Sequence, residues 1–250
     1  MSDKYYLGFD AGTQSVKVAV YDEDQHCLAM DTAKTHLAYP QPGWVQMDVD
    51  EYYRLIKQCM ASCSRQMEEK GWDVKNVRAI MGDGIICGIA GIDADGNAIT
   101  PYVNYLDSRT ADDVEALKAQ KLAIWGKETG NAEPNIMFPA MFARWFMKNV
   151  PAWQEKGVKF VHNKGEDAFI DWGAMSGWGL GYDVVQKKWS PEQLDILGIP
   201  ERYMPRIVKP WDIIGRLCEE DAMETGFPAG IPICAGAGDN AAAAVGCGAV

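Results

Sequence analysis

Two aspartates stand in settings where a carboxylate can do chemistry. Asp10 ends an apolar run, residues 5–9, and opens Asp10-Ala11-Gly12-Thr13-Gln14-Ser15. Gly12 permits a tight turn there. Thr13, Gln14 and Ser15 can direct backbone N–H groups and hydroxyls toward an anion. A carboxylate at a strand end can also hold Mg²⁺ through water, as phosphoryl-transfer sites require. An ordinary hairpin uses the same residues to satisfy its turn, and the segment alone leaves both readings open. Asp239 follows Ala235-Gly236-Ala237-Gly238 and precedes an alanine-rich stretch, residues 241–245. The two glycines let backbone and ligand approach closely, and a carboxylate is favoured near a helix N-terminus. Asp239 as a plain helix cap accounts for that segment equally well. The stretch has neither the six-position dinucleotide fingerprint nor the P-loop lysine.

These residues need elements to position them. Residues 5–9 are apolar, and Val16, Val18 and Val20 alternate with Lys17, Ala19 and Tyr21, the period of a half-buried strand. Residues 22–25 predict a hairpin turn and 27–37 a return strand, so the chain opens with an antiparallel meander. Pro40, Pro42 and Gly43 break the pattern. Asp48 and Glu51 have capping-box spacing. Tyr52, Leu55, Ile56, Cys59, Cys63 and Met67 then recur at helical spacing. Residues 77–80 and 85–92 predict strands around a join at Gly82-Asp83-Gly84, and 93–97 a hairpin turn. Residues 111–120 and 139–149 predict helices with a loop, 131–139, between them. Residues 158–188 are glycine-rich and show no clean period. A helix at 190–197 with Pro191 in its first turn follows. After it come a strand at 213–217, a helix at 219–225 and a strand at 231–235. Strands alternating with helices after an antiparallel opening predict a mixed sheet in an α/β domain.

Composition narrows the class. The 250 residues are 48% hydrophobic and 24% charged, values of a globular chain with core enough for one large domain or two small ones. Lys+Arg 24 against Asp+Glu 35 gives a net charge of −11 with no basic cluster in sequence. That argues against nucleic-acid and anionic-membrane partners. No apolar run reaches membrane-spanning length, and the first residues do not read as a signal peptide. The seven cysteines are an odd number without a CxxC pair, which argues for a reducing compartment and against a zinc site or disulfide framework. Cys59 and Cys63 read as small core residues. His26, His36 and His162 lack metal-ligand spacing, and His162 reads as a strand-end residue. No charge follows Asp239. Domains seldom end in such an apolar stretch, because buried termini are uncommon.

Several segments, in order, carry a family resemblance. They are LGFDAGTQSVKVAVYD (residues 7–22), GWVQMD (43–48), residues 77–96, YLDSR (105–109), DWGAMSG (171–177), DVVQKKWS (183–190) and AGAGDNAAAAVGCG (235–248). This series resembles the FGGY family of carbohydrate kinases, which includes glycerol kinase, xylulokinase and ribulokinase. The resemblance implies an α/β, ribonuclease-H-like (actin-like ATPase) fold, with a mixed five-stranded sheet flanked by helices plus inserted elements. Residues 1–250 would be its N-terminal domain, supplying the sugar site and the catalytic base. The C-terminal ATP-binding domain would lie outside this chain, which alone would be inactive. By the same resemblance Asp239 is the general base for the attacking hydroxyl. Asp10 organises Mg²⁺ and phosphate, and Gly12, Thr13, Gln14 and Ser15 form the phosphate-binding turn for ATP. A cytoplasmic location, a sugar or polyol substrate and a homodimer are in keeping with relatives.

The sugar pocket departs from the family. Xylulokinases carry Gly-Gln-Met-His-Gly where this chain has Gly84, Ile85, Ile86, Cys87 and Gly88, so the polar reader is absent. The Arg-Glu pair of glycerol kinases is absent too. Asp83 supplies a polar contact or serves as a turn residue. Asp107 and Arg109 remain from the family's Trp-x-Asp-x-Arg segment, and either line the pocket or pair structurally. Residues 160–170 look shorter than the family's segment, with Lys164-Gly165-Glu166 as its remnant. Trp44, Trp125, Trp145 and Trp172 are of a type that stacks on sugars, though core packing is the commoner use. Two other readings compete. One is a non-catalytic sugar-binding or regulatory protein on this scaffold. The other is an actin-like ATPase, against which Asp107, Arg109 and GWVQMD speak.

Overall fold

The computed structural model describes residues 4–161, 163–164 and 167–248. His162, Gly165 and Glu166 fall outside the described residues, as do the expectations placed on them. The chain divides into two compact units. The first comprises Met1–His36, Asp50–Ile85 and Lys209–Val250, and the second Leu37–Val49 and Ile86–Val208.

The first unit is built on one mixed sheet. Strands β1 (Tyr5–Ala11), β2 (Ser15–Asp22) and β3 (Cys27–Lys34) form the expected antiparallel meander. Val16, Val18 and Val20 are fully buried, as their alternation requires. β1 also pairs in parallel with strand Val77–Gly84, which pairs in parallel with strand Pro232–Gly238. Strand Ile213–Arg216 adds an antiparallel edge, so the sheet has six strands rather than five. Helix α1 (Val49–Glu69) contributes Leu55, Cys59, Met60, Cys63 and Met67 to the same core as Leu7 and the three valines. Burying each large apolar side chain contributes roughly 1.5–3 kcal/mol. Burial pushes the Cys59 and Cys63 thiols up to about 11 and about 12, so both act as small apolar residues.

One expected element changes. Gly82-Asp83-Gly84 does not join two strands. It is the end of a single strand, Val77–Gly84, and the next strand is Gly88–Ile92. Gly82 is there for packing: a Cβ on it would lie 2.1 Å from the ring of Phe9 on β1. The glycine that looks like a turn signal makes room for a neighbour's aromatic side chain. Its effect is to carry Asp83 to the strand's C-terminal end.

The second unit has its own core. Helix Pro139–Asn149 buries Ala140, Met141, Phe142, Ala143 and Phe146, close to the predicted span. Trp125, Trp153 and Trp178 are buried in the same cluster. A four-stranded sheet runs Gln46–Met47, Tyr102–Asn104, Gly88–Ile92, Lys159–Val161. The aperiodic glycine-rich stretch resolves into elements too short to show a period. They include helix Trp172–Trp178 and the paired strands Tyr182–Asp183 and Lys188–Trp189. Asp171 starts that helix by accepting hydrogen bonds from Gly173 N (2.6 Å) and Ala174 N (3.0 Å). Among the described residues, no helix is long and apolar enough to cross a membrane.

Candidate active site

Three neighbouring parallel strands of the first unit each end at or next to an aspartate. Asp10 and Asp83 are direct register partners across β1 and Val77–Gly84. Ala237 is the partner of Asp83 on the other side, and Asp239 follows two residues later. Ligands of open α/β sheets bind outside such carboxyl ends. A bulge sits between Cys234 and Ala237 of the last strand. Gly236 lies there at φ 77, and a Cβ on it would stand 1.8 Å from the Gly82 carbonyl oxygen. Only glycine fits that approach, which sets the direction in which Asp239 leaves the sheet.

The turn after Asp10 is held from several sides. Gly12 N donates to Ser15 O at 3.1 Å. Thr35 N donates to Gln14 O at 3.1 Å, and its hydroxyl to Thr13 O at 2.7 Å. The Tyr52 hydroxyl donates to Gly12 O. Gln14 is exposed at the tip. Across the hairpin, Lys17 Nζ donates to Asp10 Oδ2 at 2.8 Å. Tyr52, Thr35 and Lys17 were not singled out from the sequence. Tyr52 belongs to the apolar stripe of α1, and Lys17 could be found by counting across the meander, since residue 10 faces residue 17. Thr35 carries no local signal.

Asp239 is the first helical residue of helix Asp239–Gly246, and Gly238 occupies the cap position. The plain-cap reading therefore does not describe it. Its carboxylate accepts from Asn240 N at 2.7 Å. The helix N-terminus favours that charge.

Asp83 is the most perturbed of the three. Its Oδ1 is buried without a hydrogen-bond partner among the described residues. Burial and the adjacent Asp10 carboxylate push Asp83 up to about 7, with Asp239 adding repulsion and Lys17 opposing it. Carboxylates at adjacent strand ends, one with an unsatisfied oxygen, suit a hard divalent cation such as Mg²⁺, which would displace the proton that Asp83 otherwise holds.

Asp107 and Arg109 belong to the second unit. Their side chains are 0% and 2% exposed and pair with each other at 2.7 Å. Asp107 also accepts from Val45 N at 2.7 Å and Arg109 N at 2.8 Å. The guanidinium lies 4.1 Å from the ring centre of Trp44 and 5.2 Å from that of Trp145. Of the two readings open for this pair, structural pairing is the geometry found. Trp125 is core. Trp172 lies beneath the Lys187 ammonium at 3.5 Å.

A family model described as the FGGY family of carbohydrate kinases, N-terminal domain, matches residues 5–246. A glycerol kinase of Nitratidesulfovibrio vulgaris is 25% identical over 97% of this chain and 50% of its own length. A xylulose kinase of Escherichia coli is 28% identical over 98% and 50%. The crystal structure of xylulose kinase from Rhodospirillum rubrum superposes with TM-score 0.89 at 21% identity, covering 99% of this chain and 51% of that one. Plasmodium falciparum glycerol kinase with ADP gives 0.87 at 20% identity, over 97% and 50%. The fold is the actin-like, ribonuclease-H-like one these structures share. The chain spans about half the length of the curated relatives it matches.

Proposed function

We propose that this chain, which belongs to the FGGY family of carbohydrate kinases, supplies the sugar-binding and catalytic-base half of an ATP-dependent sugar or polyol kinase. The observation that carries the reading is the gathering of Asp10, Asp83 and Asp239 at the ends of three adjacent parallel strands. Asp239 takes the proton of the acceptor hydroxyl as that oxygen attacks the γ-phosphorus. A base needs only hydrogen-bond reach for this, and positioning supplies most of the remaining catalysis. Asp10, with Asp83 beside it, would hold Mg²⁺, which neutralises phosphate charge when bound. The turn Gly12-Thr13-Gln14-Ser15, pinned by Thr35 and Tyr52, would hold phosphate oxygens. Asp83 is also the polar residue directly before the segment where relatives read the sugar, here Gly84, Ile85, Ile86, Cys87 and Gly88. The Asp107–Arg109 pair, saturated by its own contacts, holds the loop at Val45 rather than a ligand. A reducing cytoplasm suits seven free cysteines.

A non-catalytic binding module would need neither Asp10 nor Asp239, and both are in place. Nucleotide-binding elements beyond these 250 residues complete the reaction in this reading. An ADP-release assay tests it. The 250-residue chain should show no sugar-dependent turnover, and the full-length protein should. Robust turnover by the 250-residue chain would overturn the division of labour, and an inactive full-length protein across a sugar and polyol panel would favour the binding module.

A further inference from the structure

The second unit holds a cleft of about 610 Å³ whose wall carries Lys159, Lys187, Lys188, Arg202 and Arg206. Such a gathering runs against the average of a chain with net charge −11. Several cations elsewhere are paired with carboxylates: Lys57 with Asp221 and Glu224, Lys118 with Glu133, and Arg144 and Lys148 with Asp113. None of the five cleft cations has a carboxylate partner among the described residues, although Asp167 and Glu201 line the same cleft.

Three of the five are held in place by neutral groups. Lys159 Nζ donates to Met204 O at 2.9 Å. Lys187 Nζ sits on the Trp172 ring. Arg202 stacks on Tyr203, 4.6 Å from its ring centre, and donates to its hydroxyl at 3.1 Å. These contacts fix position without pairing the charge directly with a carboxylate. Lys188 and Arg206 are exposed, and their side chains make no hydrogen bond or ion pair among the described residues. Their backbones are nonetheless tied together. Trp189, 8% exposed, donates its indole Nε1–H to Pro205 O at 2.9 Å. The residue before the donor is Lys188, and the residue after the acceptor is Arg206. That bond holds the two backbone segments that carry Lys188 and Arg206 together, so both cations start from one fixed piece of the cleft wall.

We propose that this cleft binds a small molecule bearing a dianionic phosphoryl group. Lys and Arg together recognise such a group, Arg by its fork and Lys as a point charge. The volume falls in the range of small-molecule sites, about 300–1,000 Å³. A polynucleotide fits less well, because the positive charge is confined to one cleft and the rest of an acidic chain repels a long polyanion. The inference stands apart from the kinase reading, since it concerns other residues and needs neither sugar nor nucleotide.

The test is an amide and indole NMR titration of the 250-residue chain with inorganic pyrophosphate and, separately, with glycerol 3-phosphate, at low salt. Saturable shifts are expected at residues 187–189 and 201–207, including the Trp189 indole. The double variant Lys188→Gln/Arg206→Gln should bind at least about tenfold more weakly at an unchanged thermal midpoint. Tighter binding of either probe supports the proposal, and which one binds tighter separates inorganic from ester-bound phosphate. Four outcomes overturn it: shifts that do not saturate, equal binding by the variant, shifts confined to Thr13, Gln14 and Ser15, or a DNA oligonucleotide that outcompetes both probes at the cleft. Should the double variant unfold, the exposed single variant Arg206→Gln carries the same comparison.

Discussion

Asp107 and Asp83 are both withdrawn from water, and they are opposites. Asp107 has an arginine at 2.7 Å, two backbone N–H donors and a guanidinium stacked against two tryptophans on the far side. Every requirement of its charge is met inside the fold. Asp83 has an orphaned Oδ1 and a second carboxylate as its nearest charged neighbour. Its environment opposes the charge that neutral water would give it. A satisfied buried ion is committed to structure, because any ligand must first break its bonds. A crowded, under-satisfied set of carboxylates is destabilising by itself and is relieved by a cation or a proton. The contrast is between a pair whose charges are met inside the fold and a cluster whose charges are not.

That contrast can be broken by separating activity from stability. The largest effect is expected at Asp239. Asp239→Asn should lower turnover of the full-length protein roughly 10²–10⁴-fold, the usual contribution of a general base. Its urea midpoint should hardly move, because among the described residues Asp239 bonds only its neighbour's N–H and its helix buries no residue. Near-normal turnover refutes the base assignment. Next comes Asp107→Ala, which strands the buried Arg109 charge and should cost about 3–5 kcal/mol of unfolding free energy. Urea denaturation of the 250-residue chain reads this directly. A loss below about 1 kcal/mol would mean that the pair is not the satisfied buried ion described.

How much of this was legible in the sequence depends on the reach of each feature. The valine alternation of β2 and the apolar stripe of α1 are local periods, and both elements formed where those periods lie. Asp10 and Asp239 stood out because glycines flank them in sequence. Asp83 was harder. Gly82 and Gly84 imitate a turn, and only the Phe9 ring, far along the chain, explains why Gly82 is needed inside a strand. The sixth strand, Ile213–Arg216, was read as a strand, but its pairing partner is a matter of topology. The cationic cleft was invisible, because its lysines and arginines come from several short elements. No window of the sequence looks basic. The burial of Asp107 and Arg109 likewise rests on Trp44 and Trp145, tens of residues away in each direction.

Asp83 sharpens the comparison through pH. An unfolded aspartate titrates near 3.9, and the folded one is pushed up to about 7. Between these values the native state binds more protons than the unfolded state. Stability therefore falls as pH rises through that window, and the whole contribution is lost above about 7. Asp83→Asn should remove the fall, raising stability at pH 8 by on the order of 1 kcal/mol after discounting for solvent screening, with little change at pH 4. Urea midpoints across that range, in chelator-treated buffer, give the answer. A variant that is less stable than the parent at pH 8 would place Asp83 with Asp107, among the satisfied carboxylates.

Lys17 offers the finest discrimination. Its side chain is 54% exposed and that of Asp10 32%, so their pair is a surface salt bridge worth less than about 1 kcal/mol. Lys17→Gln should scarcely alter stability. Its electrostatic effect should still reach Asp83, because Lys17 is the cation that opposes the upward push there. Removing it should move the Asp83 titration further up, visible in the carboxyl carbon resonance by NMR. An unmoved or lowered titration would mean that burial alone, and not the balance of charges at the strand ends, perturbs Asp83. The cluster would then be three independent carboxylates rather than one electrostatic unit.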